Sequence, residues 1–341
     1  MAEIIIPSSV TNIGDSAFND CRSLRQITLP ESVTSIGDYA FCGCNSLESI
    51  IIPKSVVSIG KCPFRQSGIR QVVCESTAFE TDGHALYTRG KKRLIEVFDK
   101  RVEQYIIAED VEEIGERAFY QCTDLTSVVI PESVTVIDEA AFAVCGKLTS
   151  VDIPHSITVI PERAFLGSGL ISVIVPDSVA CIGESAFSRC HQLTYIKLPD
   201  SLDVISYEMF QHCENLTSVT LPSSLETIGQ GAFFDCEKLA SINFPNSLTI
   251  IKHSAFYECT RLASVSLPLS VKCIERHAFS DCKRLKNITI LNPDIDIAPE
   301  AFSGCHALTT VNVPKGADHI VTACLPVEES EISINYVDNI D

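Results

Sequence analysis

The sequence predicts a parallel β-solenoid built from about a dozen stacked copies of one 23-residue unit. Three observations support this fold class. Phenylalanine recurs mostly at intervals of 23 residues, isoleucine stands five positions before each of these phenylalanines, and the units share a short strand-like segment whose consensus is I-x-I. Because one such unit cannot bury its own apolar face, the units must stack and share a continuous core.

Each part of the unit, I-x-I-P-x-S-V-x-x-I-G-x-x-A-F-x-x-C-x-x-L-x-x, has a predicted structural role. The I-x-I segment, for example residues 27–29, is a half-buried strand because its apolar and polar residues alternate. Pro30 ends that strand, since proline donates no ladder hydrogen bond. We expect Ser32 to bond nearby backbone in the turn, and Gly37 to relieve the backbone where the chain bends. Phe41 then fills the opposite wall of the core.

The recurring phenylalanines are expected to form one buried column along the solenoid. Each buried ring contributes about 1.5–3 kcal/mol, so the column and its matching isoleucines are the main stabilising term. The sheet is expected to be a curved parallel sheet of about 13 short strands, and the convex side to be mostly irregular or short helical. The column comprises Phe18, Phe41, Phe64, Phe119, Phe142, Phe165, Phe187, Phe210, Phe233, Phe256, Phe279 and Phe302.

Ten cysteines stand three residues after these phenylalanines and form a second predicted column. Parallel stacked Cβ atoms about 4.8 Å apart do not suit a disulfide, which needs converging vectors at about 3.8 Å. We therefore expect small buried thiols that face backbone in the turn. Six cysteines lie outside the column, and whether they are reactive or paired stays open: Cys42, Cys62, Cys74, Cys181, Cys273 and Cys324.

The repeat resembles a known family. The string SVTSIGDYAFCGCNSLESIIIP, from Ser32 to Pro53, is similar to the BspA-like class of leucine-rich repeats, and the resemblance covers residues 3 to about 314. It implies a leucine-rich-repeat solenoid of a kind common on the surfaces of mucosa-associated bacteria and some protozoan parasites. Members are thought to bind host matrix or other cells. The resemblance thus implies a cell-surface or secreted location, although no export signal precedes the first repeat.

One step of 55 residues in the phenylalanine series marks an insertion at residues 76–104. Residues 85–87 and 94–97, separated by a turn around Gly90, predict a β-hairpin. The hairpin is basic in an otherwise acidic protein. It is either a protruding contact element or a solvated tip. The candidate partner-binding residues here are Arg89, Lys91, Lys92 and Arg93.

The central residue of each I-x-I segment should point away from the core, yet it is apolar in the N-terminal half of the chain. An exposed apolar patch of this kind is typical of an interface. The alternative is that isoleucine and valine simply favour strands. The candidate partner-binding residues on this face are Ile51, Val73, Ile106, Val129 and Ile174, with Tyr195 on the neighbouring, mostly serine position.

The formal net charge of −18 disfavours nucleic acid and anionic membranes as partners. No run of 18 apolar residues exists, so no membrane insertion is expected. The G-x-S-x-G, phosphate-loop and H-E-x-x-H motifs do not occur, so neither an enzyme nor a cofactor is predicted. The nearest approach to a metal set, residues 190–191 beside 212–213, uses cysteines of the core column, and its histidines should face solvent.

The expected organisation is a solenoid over residues 1–316 and an acidic C-terminal cap over residues 317–341. At the other end no cap is visible, which indicates either a truncated chain or an exposed first strand. The function predicted is a non-enzymatic scaffold that binds a protein partner, with host extracellular-matrix or cell-surface proteins as the first candidates. The alternative is an intracellular scaffold for a cytoplasmic partner.

Overall fold

The computed structural model describes residues 3–317, 319–320 and 332–337. The chain clusters into two compact units, Met1–Ile157 and Thr158–Asp341. Each unit is a parallel β-solenoid, which confirms the predicted fold class. Two kinds of strand recur in both. The first ladder consists of the I-x-I strands, and the second ladder consists of two-residue strands at the isoleucine five positions before each phenylalanine.

In unit 1 the two kinds of strand alternate until the insertion. The first ladder pairs β1 with β3, β5 with β7 and β11 with β13, and the second ladder has the orders β2-β4-β6 and β14-β12-β10-β9-β8. The elements are β1 (Glu3–Ile5), β2 (Asn12–Ile13), β3 (Gln26–Thr28), β4 (Ser35–Ile36), β5 (Ser49–Ile52), β6 (Ser58–Ile59), β7 (Gln71–Cys74), β8 (Phe79–Thr81), β9 (Ala85–Thr88), a 3₁₀ turn (Arg89–Lys91), β10 (Arg93–Val97), β11 (Gln104–Ile106), β12 (Glu113–Ile114), β13 (Ser127–Val129) and β14 (Val136–Ile137).

In unit 2 every strand pair is parallel. The first ladder has the orders β16-β18-β20 and β23-β25-β27-β28, and the second has β15-β17 and β19-β21-β22-β24-β26. The strands are β15 (Val159–Ile160), β16 (Ser172–Ile174), β17 (Cys181–Ile182), β18 (Tyr195–Lys197), β19 (Val204–Ile205), β20 (Ser218–Thr220), β21 (Thr227–Ile228), β22 (Ile250–Ile251), β23 (Ser264–Leu267), β24 (Cys273–Ile274), β25 (Asn287–Ile290), β26 (Asp296–Ile297), β27 (Thr310–Pro314) and β28 (Ser333–Val337).

First-ladder strands in the described residues number six in unit 1 and seven in unit 2, which agrees with the predicted 13 or so. The side of each turn opposite these strands carries almost no helix. Over residues 3–317 the only helical segment is the 3₁₀ turn of the insertion. The second ladder and tight turns form that side instead, because each two-residue strand at the repeated isoleucine pairs with the equivalent strand of the next turn.

The phenylalanine column is present in both units. Eleven of its rings are fully buried, and Phe18 is half-buried. Neighbouring rings within a unit stack with centroids 4.9 to 6.2 Å apart, which is the normal range for attractive aromatic pairs. The column therefore confirms that the 23-residue period brings equivalent side chains into contact.

The cysteine column contains buried thiols that donate hydrogen bonds along the stack. The Sγ of Cys236 donates to the carbonyl of Phe210 in the preceding turn at 3.2 Å, and Cys44 donates to Phe18 in the same way at 3.1 Å. Each thiol thus supplies a second donor to a phenylalanine carbonyl that is enclosed in the turn. All cysteines in the described part of the chain, including the off-register ones there, are free thiols; Cys324 lies outside it.

Two predicted roles in the turn need correction. The hydroxyl of Ser32 donates at 2.6 Å to the carbonyl of Val10 in the preceding turn, so it joins two turns rather than bonding its own. Gly37 is needed for a close approach and not for a bend. A Cβ at Gly37 would lie 2.4–2.7 Å from atoms of Gly14 and Asp15 in the turn below.

The chain turns around each buried phenylalanine by using left-handed residues, two positions before and two positions after the ring. Around Phe210 these residues are Glu208 (φ 50°) and His212 (φ 57°). A non-glycine residue in this region costs free energy. The next turn offsets that cost, because the amides of Glu208, Phe210 and His212 donate to three of its carbonyls at 2.8–2.9 Å.

The insertion forms the predicted hairpin, with β9 and β10 antiparallel, and adds a third strand, β8, on the far side of β9. Strand β10 also pairs in parallel with β12, so the hairpin supplies one turn of the second ladder. Val97 takes the place of the phenylalanine in that turn: its amide donates to Ala118 at 2.8 Å, as Phe119 donates to Ala141 in the next turn. A basic hairpin is thereby built into the solenoid wall.

The predicted acidic cap is described only in part. Residues Ser333–Val337 form β28, which pairs in parallel with β27 and extends the first ladder by one strand. The side-chain amide of Asn335 donates to Asn312 at 3.0 Å. The acidic residues on which the cap prediction depends, Glu328, Glu329, Glu331, Asp338 and Asp341, lie outside the described residues, so the cap stays a prediction.

Candidate interaction surfaces

Four apolar side chains project outward from the first ladder of unit 1, and we refer to them as the apolar row: Ile51, Val73, Ile106 and Val129. Ile51 pairs across strands with Val73, and Ile106 pairs with Val129. Their exposed fractions are 54%, 41%, 75% and 55%. They point outward because their strand neighbours, such as Ile50 and Val72, fill the core, and side chains alternate along a strand.

The two candidate residues in unit 2 occupy a more polar surface. Ile174 is 67% exposed and pairs with Lys197, while Tyr195 is 37% exposed and lies between Ser172 and Ser218 of the adjacent strands. Cationic and hydroxyl neighbours therefore surround these apolar groups. The unit 2 face is less suited to a purely apolar partner than the row in unit 1.

The basic residues of the hairpin are largely neutralised by nearby carboxylates. Arg89 lies 3.6 Å from Glu80, Lys92 lies 2.5 Å from Glu112, and Arg93 lies 2.9 Å from Glu113. The hydrogen bond from Lys92 to Glu112 raises the pKa of the lysine, which keeps it charged and paired. Three of the four candidate cations in the hairpin thus have a carboxylate within ion-pair distance.

Lys91 differs from the other three, because it takes part in no ion pair within the described residues. Its Nζ lies 5.8 Å from the centre of the Tyr87 ring. All four basic residues belong to the hairpin, whose strand β10 extends the second ladder, whereas the apolar row belongs to the first ladder. The candidate residues of unit 1 therefore lie on different ladders.

A groove next to the insertion was not expected from the sequence. It has a volume of about 350 Å³, within the range of ligand pockets, and we refer to it as the edge groove. One wall is β6 with its flanks, including Val57, Ile59 and Lys61, and the other is the hairpin, including Phe79, Arg93 and Ile95. The 55-residue step in the repeat was the available signal, since an insertion must interrupt a ladder.

A buried carboxylate stabilises the insertion beside this groove. Oε2 of Glu96 accepts a hydrogen bond of 3.0 Å from the amide of Phe64, which in other turns donates to a carbonyl of the next turn. Burial raises the pKa of Glu96, and the Nζ of Lys100 lies 3.8 Å from Oε1. A side chain thus replaces a backbone acceptor at the point where the regular stack is interrupted.

The histidines considered as metal ligands serve as surface partners instead. His212 Nδ1 lies 2.9 Å from Asp235, and His191 Nδ1 lies 3.3 Å from Glu214, while the adjacent thiols of Cys213 and Cys190 are buried. Within the described residues, no group of three His, Cys, Asp or Glu side chains is placed to hold a metal ion. The same residues include no helix with the length and hydropathy needed to cross a bilayer.

The stacked 23-residue turns, their first ladder and its outward row define a repeat protein of the leucine-rich type. The model of the BspA type leucine rich repeat region matches residues 1–97, 96–217 and 203–327, so the chain belongs to this family. No curated protein matches the chain.

Solved structures of bacterial leucine-rich repeat proteins are similar to this chain over most of its length. A leucine rich cell surface protein from Faecalibacterium prausnitzii is 26% identical, with 97% of this chain and 92% of that chain covered and a TM-score of 0.57. A leucine-rich repeat protein from Bacteroides ovatus is 25% identical, with coverage of 98% and 84% and a TM-score of 0.55. One from Eubacterium ventriosum is 23% identical, with 82% of each chain covered and a TM-score of 0.57, and shares the fold.

Proposed function

We propose that this chain is a non-enzymatic scaffold that binds proteins, acting as a cell-surface or secreted interaction module for host or neighbouring-cell proteins. The observation that carries the proposal is the apolar row. Two cross-strand pairs of branched residues are 41–75% exposed, Ile51 with Val73 in the β5-β7 sheet and Ile106 with Val129 in the β11-β13 sheet. Exposed apolar clusters on a regular sheet are typical of surfaces that bind protein.

Family membership supports the binding role, and one similar structure supports the location. Leucine-rich solenoids present extended surfaces suited to protein partners. The similar chain from Faecalibacterium prausnitzii is a cell surface protein. The candidate partners are therefore host extracellular-matrix or cell-surface proteins, bound through the apolar row without nucleic acid or membrane insertion.

One observation favours the alternative, an intracellular scaffold with a cytoplasmic partner. All cysteines in the described residues are free thiols, and Cys181 is exposed. Free thiols persist more readily in reducing compartments than in secreted proteins. Labelling of intact source cells with an antibody against the chain separates the two locations: surface labelling supports the first, and labelling only after permeabilisation supports the second.

The binding role is tested with a triple variant, Ile51→Ser, Val73→Ser and Ile106→Ser, in pull-down from host matrix extracts. We expect retention of the matrix partner to fall at least about tenfold, because interface energy is concentrated in a few apolar anchors. The matched control is Val136→Ser. This residue is 47% exposed in the second ladder of the same unit, so its replacement should leave binding unchanged.

The same variants test the alternative that these residues serve only strand formation. In that case the triple variant would lower the free energy of unfolding and bind like the unmodified chain. Equal retention by the two proteins would remove the apolar row as the binding surface. Circular dichroism and thermal unfolding on the same preparations establish that the variant is folded.

A further inference from the structure

We propose that the edge groove of unit 1 is a second binding site, which takes an extended peptide segment of another protein as an added strand along β6. The site is separate from the apolar row, because β6 belongs to the second ladder. The proposal therefore does not depend on the function proposed above. It rests on an unfinished ladder and an apolar floor.

The unfinished ladder is visible in the backbone hydrogen bonds. In the preceding turn of the solenoid, the carbonyl of Thr34 accepts a hydrogen bond from the amide of Val57 at 2.9 Å. The carbonyl of Ile36 accepts one from the amide of Gly60 at 2.8 Å. The equivalent carbonyls one turn later belong to Val57 and Ile59. Within the described residues, neither accepts a hydrogen bond, and β6 is the last strand of its ladder.

The insertion explains why this edge is open. In a regular turn the next second-ladder strand would donate to the carbonyls of Val57 and Ile59. The next strand of that ladder is β10, which pairs with β12 along one edge and with β9 along the other. The amide of Arg93, at the start of β10, donates to the hydroxyl of Thr88 at 3.0 Å. The hairpin thus satisfies its own backbone and leaves two acceptors, two residues apart, on the wall of the groove.

Two acceptors at this spacing match an extended polypeptide. Residues i and i+2 of a strand lie about 6.6–6.8 Å apart and turn the same backbone edge toward the neighbour. A guest strand parallel to β6 would donate two amides to the carbonyls of Val57 and Ile59. Strand addition of this kind is an established mode of peptide recognition at open sheet edges.

The side chains of the groove indicate the chemistry of the guest. Phe79 and Ile95 provide an apolar floor, and Val57, 63% exposed, forms an apolar rim. Both cations of the lining are already paired, since Lys61 lies 2.6 Å from Glu116 and Arg93 lies 2.9 Å from Glu113. The guest that fits this lining is therefore a strand with branched apolar side chains, held by its backbone amides.

The test uses a random-peptide phage library selected on the unmodified chain and on a Val57→Glu variant. Glutamate occupies the equivalent position in two other turns, at Glu112 and Glu226, so the variant should fold. It places a charged side chain at the rim of the apolar floor and on the open edge, where it disfavours an added strand. The matched control is Thr34→Glu, the same position in the turn below, where the ladder is paired on both sides.

We expect enriched peptides that are rich in branched apolar residues. Their affinity should fall at least about tenfold with Val57→Glu and stay unchanged with Thr34→Glu. N-methylation of alternate peptide amides should cause a similar loss, since it removes the donors for Val57 and Ile59. The triple variant of the apolar row should bind these peptides normally, which separates this site from the proposed function.

Several results would overturn the proposal. These are no enrichment, enrichment that Val57→Glu does not affect, and binding that tolerates N-methylation at every position, as expected of side-chain contacts alone. Self-association of the unmodified chain that Val57→Glu abolishes would show that a second copy occupies the edge. Sedimentation of both proteins over a range of concentrations detects that outcome.

Discussion

Removal of one ring from the phenylalanine column tests the energetic basis of the solenoid. Phe256 in unit 2 is fully buried and stacks on Phe233 and on Phe279, with centroids 5.1 Å apart in both pairs. Phe244 packs against the same ring in a T-shaped arrangement, with centroids 5.8 Å apart. A buried Phe→Ala substitution costs about 3–5 kcal/mol, and each aromatic pair adds about 0.5–1.5 kcal/mol. We expect Phe256→Ala to lower the free energy of unfolding by about 5 kcal/mol.

A ring near the end of the described column provides the matched comparison. Phe302 is also buried, and within the described residues it stacks only on Phe279, at 5.2 Å. Phe302→Ala should therefore cost about 1 kcal/mol less than Phe256→Ala. Phe256→Leu keeps most of the apolar volume but loses the aromatic pairs, so it should cost less than Phe256→Ala and keep the chain folded.

The measurement is urea unfolding followed by far-UV circular dichroism, with hydrogen exchange to locate where unfolding begins. Exchange should accelerate first in the turns next to residue 256, because stability in a repeat array is a sum of nearest-neighbour terms. A loss below about 2 kcal/mol for Phe256→Ala would refute the reasoning. Equal losses at residues 256 and 302 would refute the contribution of the second stacked neighbour.

Three further predictions concern hydrogen bonds, thiols and pH. Ser55→Ala should lower the free energy of unfolding in urea by about 1 kcal/mol, because the serine hydroxyl donates to the carbonyl of Val33 at 2.6 Å. An unchanged free energy would contradict a stabilising role for this hydrogen bond between turns. A maleimide should label the exposed Cys181 in the native chain but not Cys236, because burial raises the pKa of Cys236 well above its usual value. Equal labelling rates for the two thiols would argue against a buried cysteine column. Burial also raises the pKa of Glu96, so the folded chain binds the extra proton, and stability falls as pH rises above the ordinary glutamate value. Glu96→Gln should flatten that fall in denaturation curves taken from weakly acidic to neutral pH, and an unchanged pH profile would contradict it.

The apolar row and the basic hairpin were both predicted from residue patterns, but those patterns determine the local geometry of the row better than that of the hairpin. Side-chain alternation was sufficient to predict that Ile51 and Val73 project outward, because the opposite set of residues must fill the core. For the hairpin, the residue pattern did not indicate that three of its four candidate basic residues lie next to carboxylates. Glu112 and Glu113 are distant in sequence from Lys92 and Arg93, and pairing of β10 with β12 brings them together.

The edge groove and the role of Glu96 depend on register, which a repeat pattern does not specify inside an insertion. The pattern indicated a hairpin at residues 76–104, yet several strand pairings were compatible with it. The structure pairs β10 with β12 and β9, and this choice leaves β6 as a terminal strand. It also directs the carboxylate of Glu96 to the amide of Phe64, where other turns use backbone.

The repeat alone determined the family, the parallel stack and the buried columns, because identical side chains spaced by one full turn have no other way to bury their apolar surface. Tertiary structure decided which polar groups find partners. Thiol, hydroxyl and carboxylate contacts between turns, the neutralised charges of the hairpin and the open edge at β6 depend on distances between residues that are 20 or more positions apart in the chain. Such distances are set by register and packing, and a one-dimensional period carries no information about them where the period is interrupted.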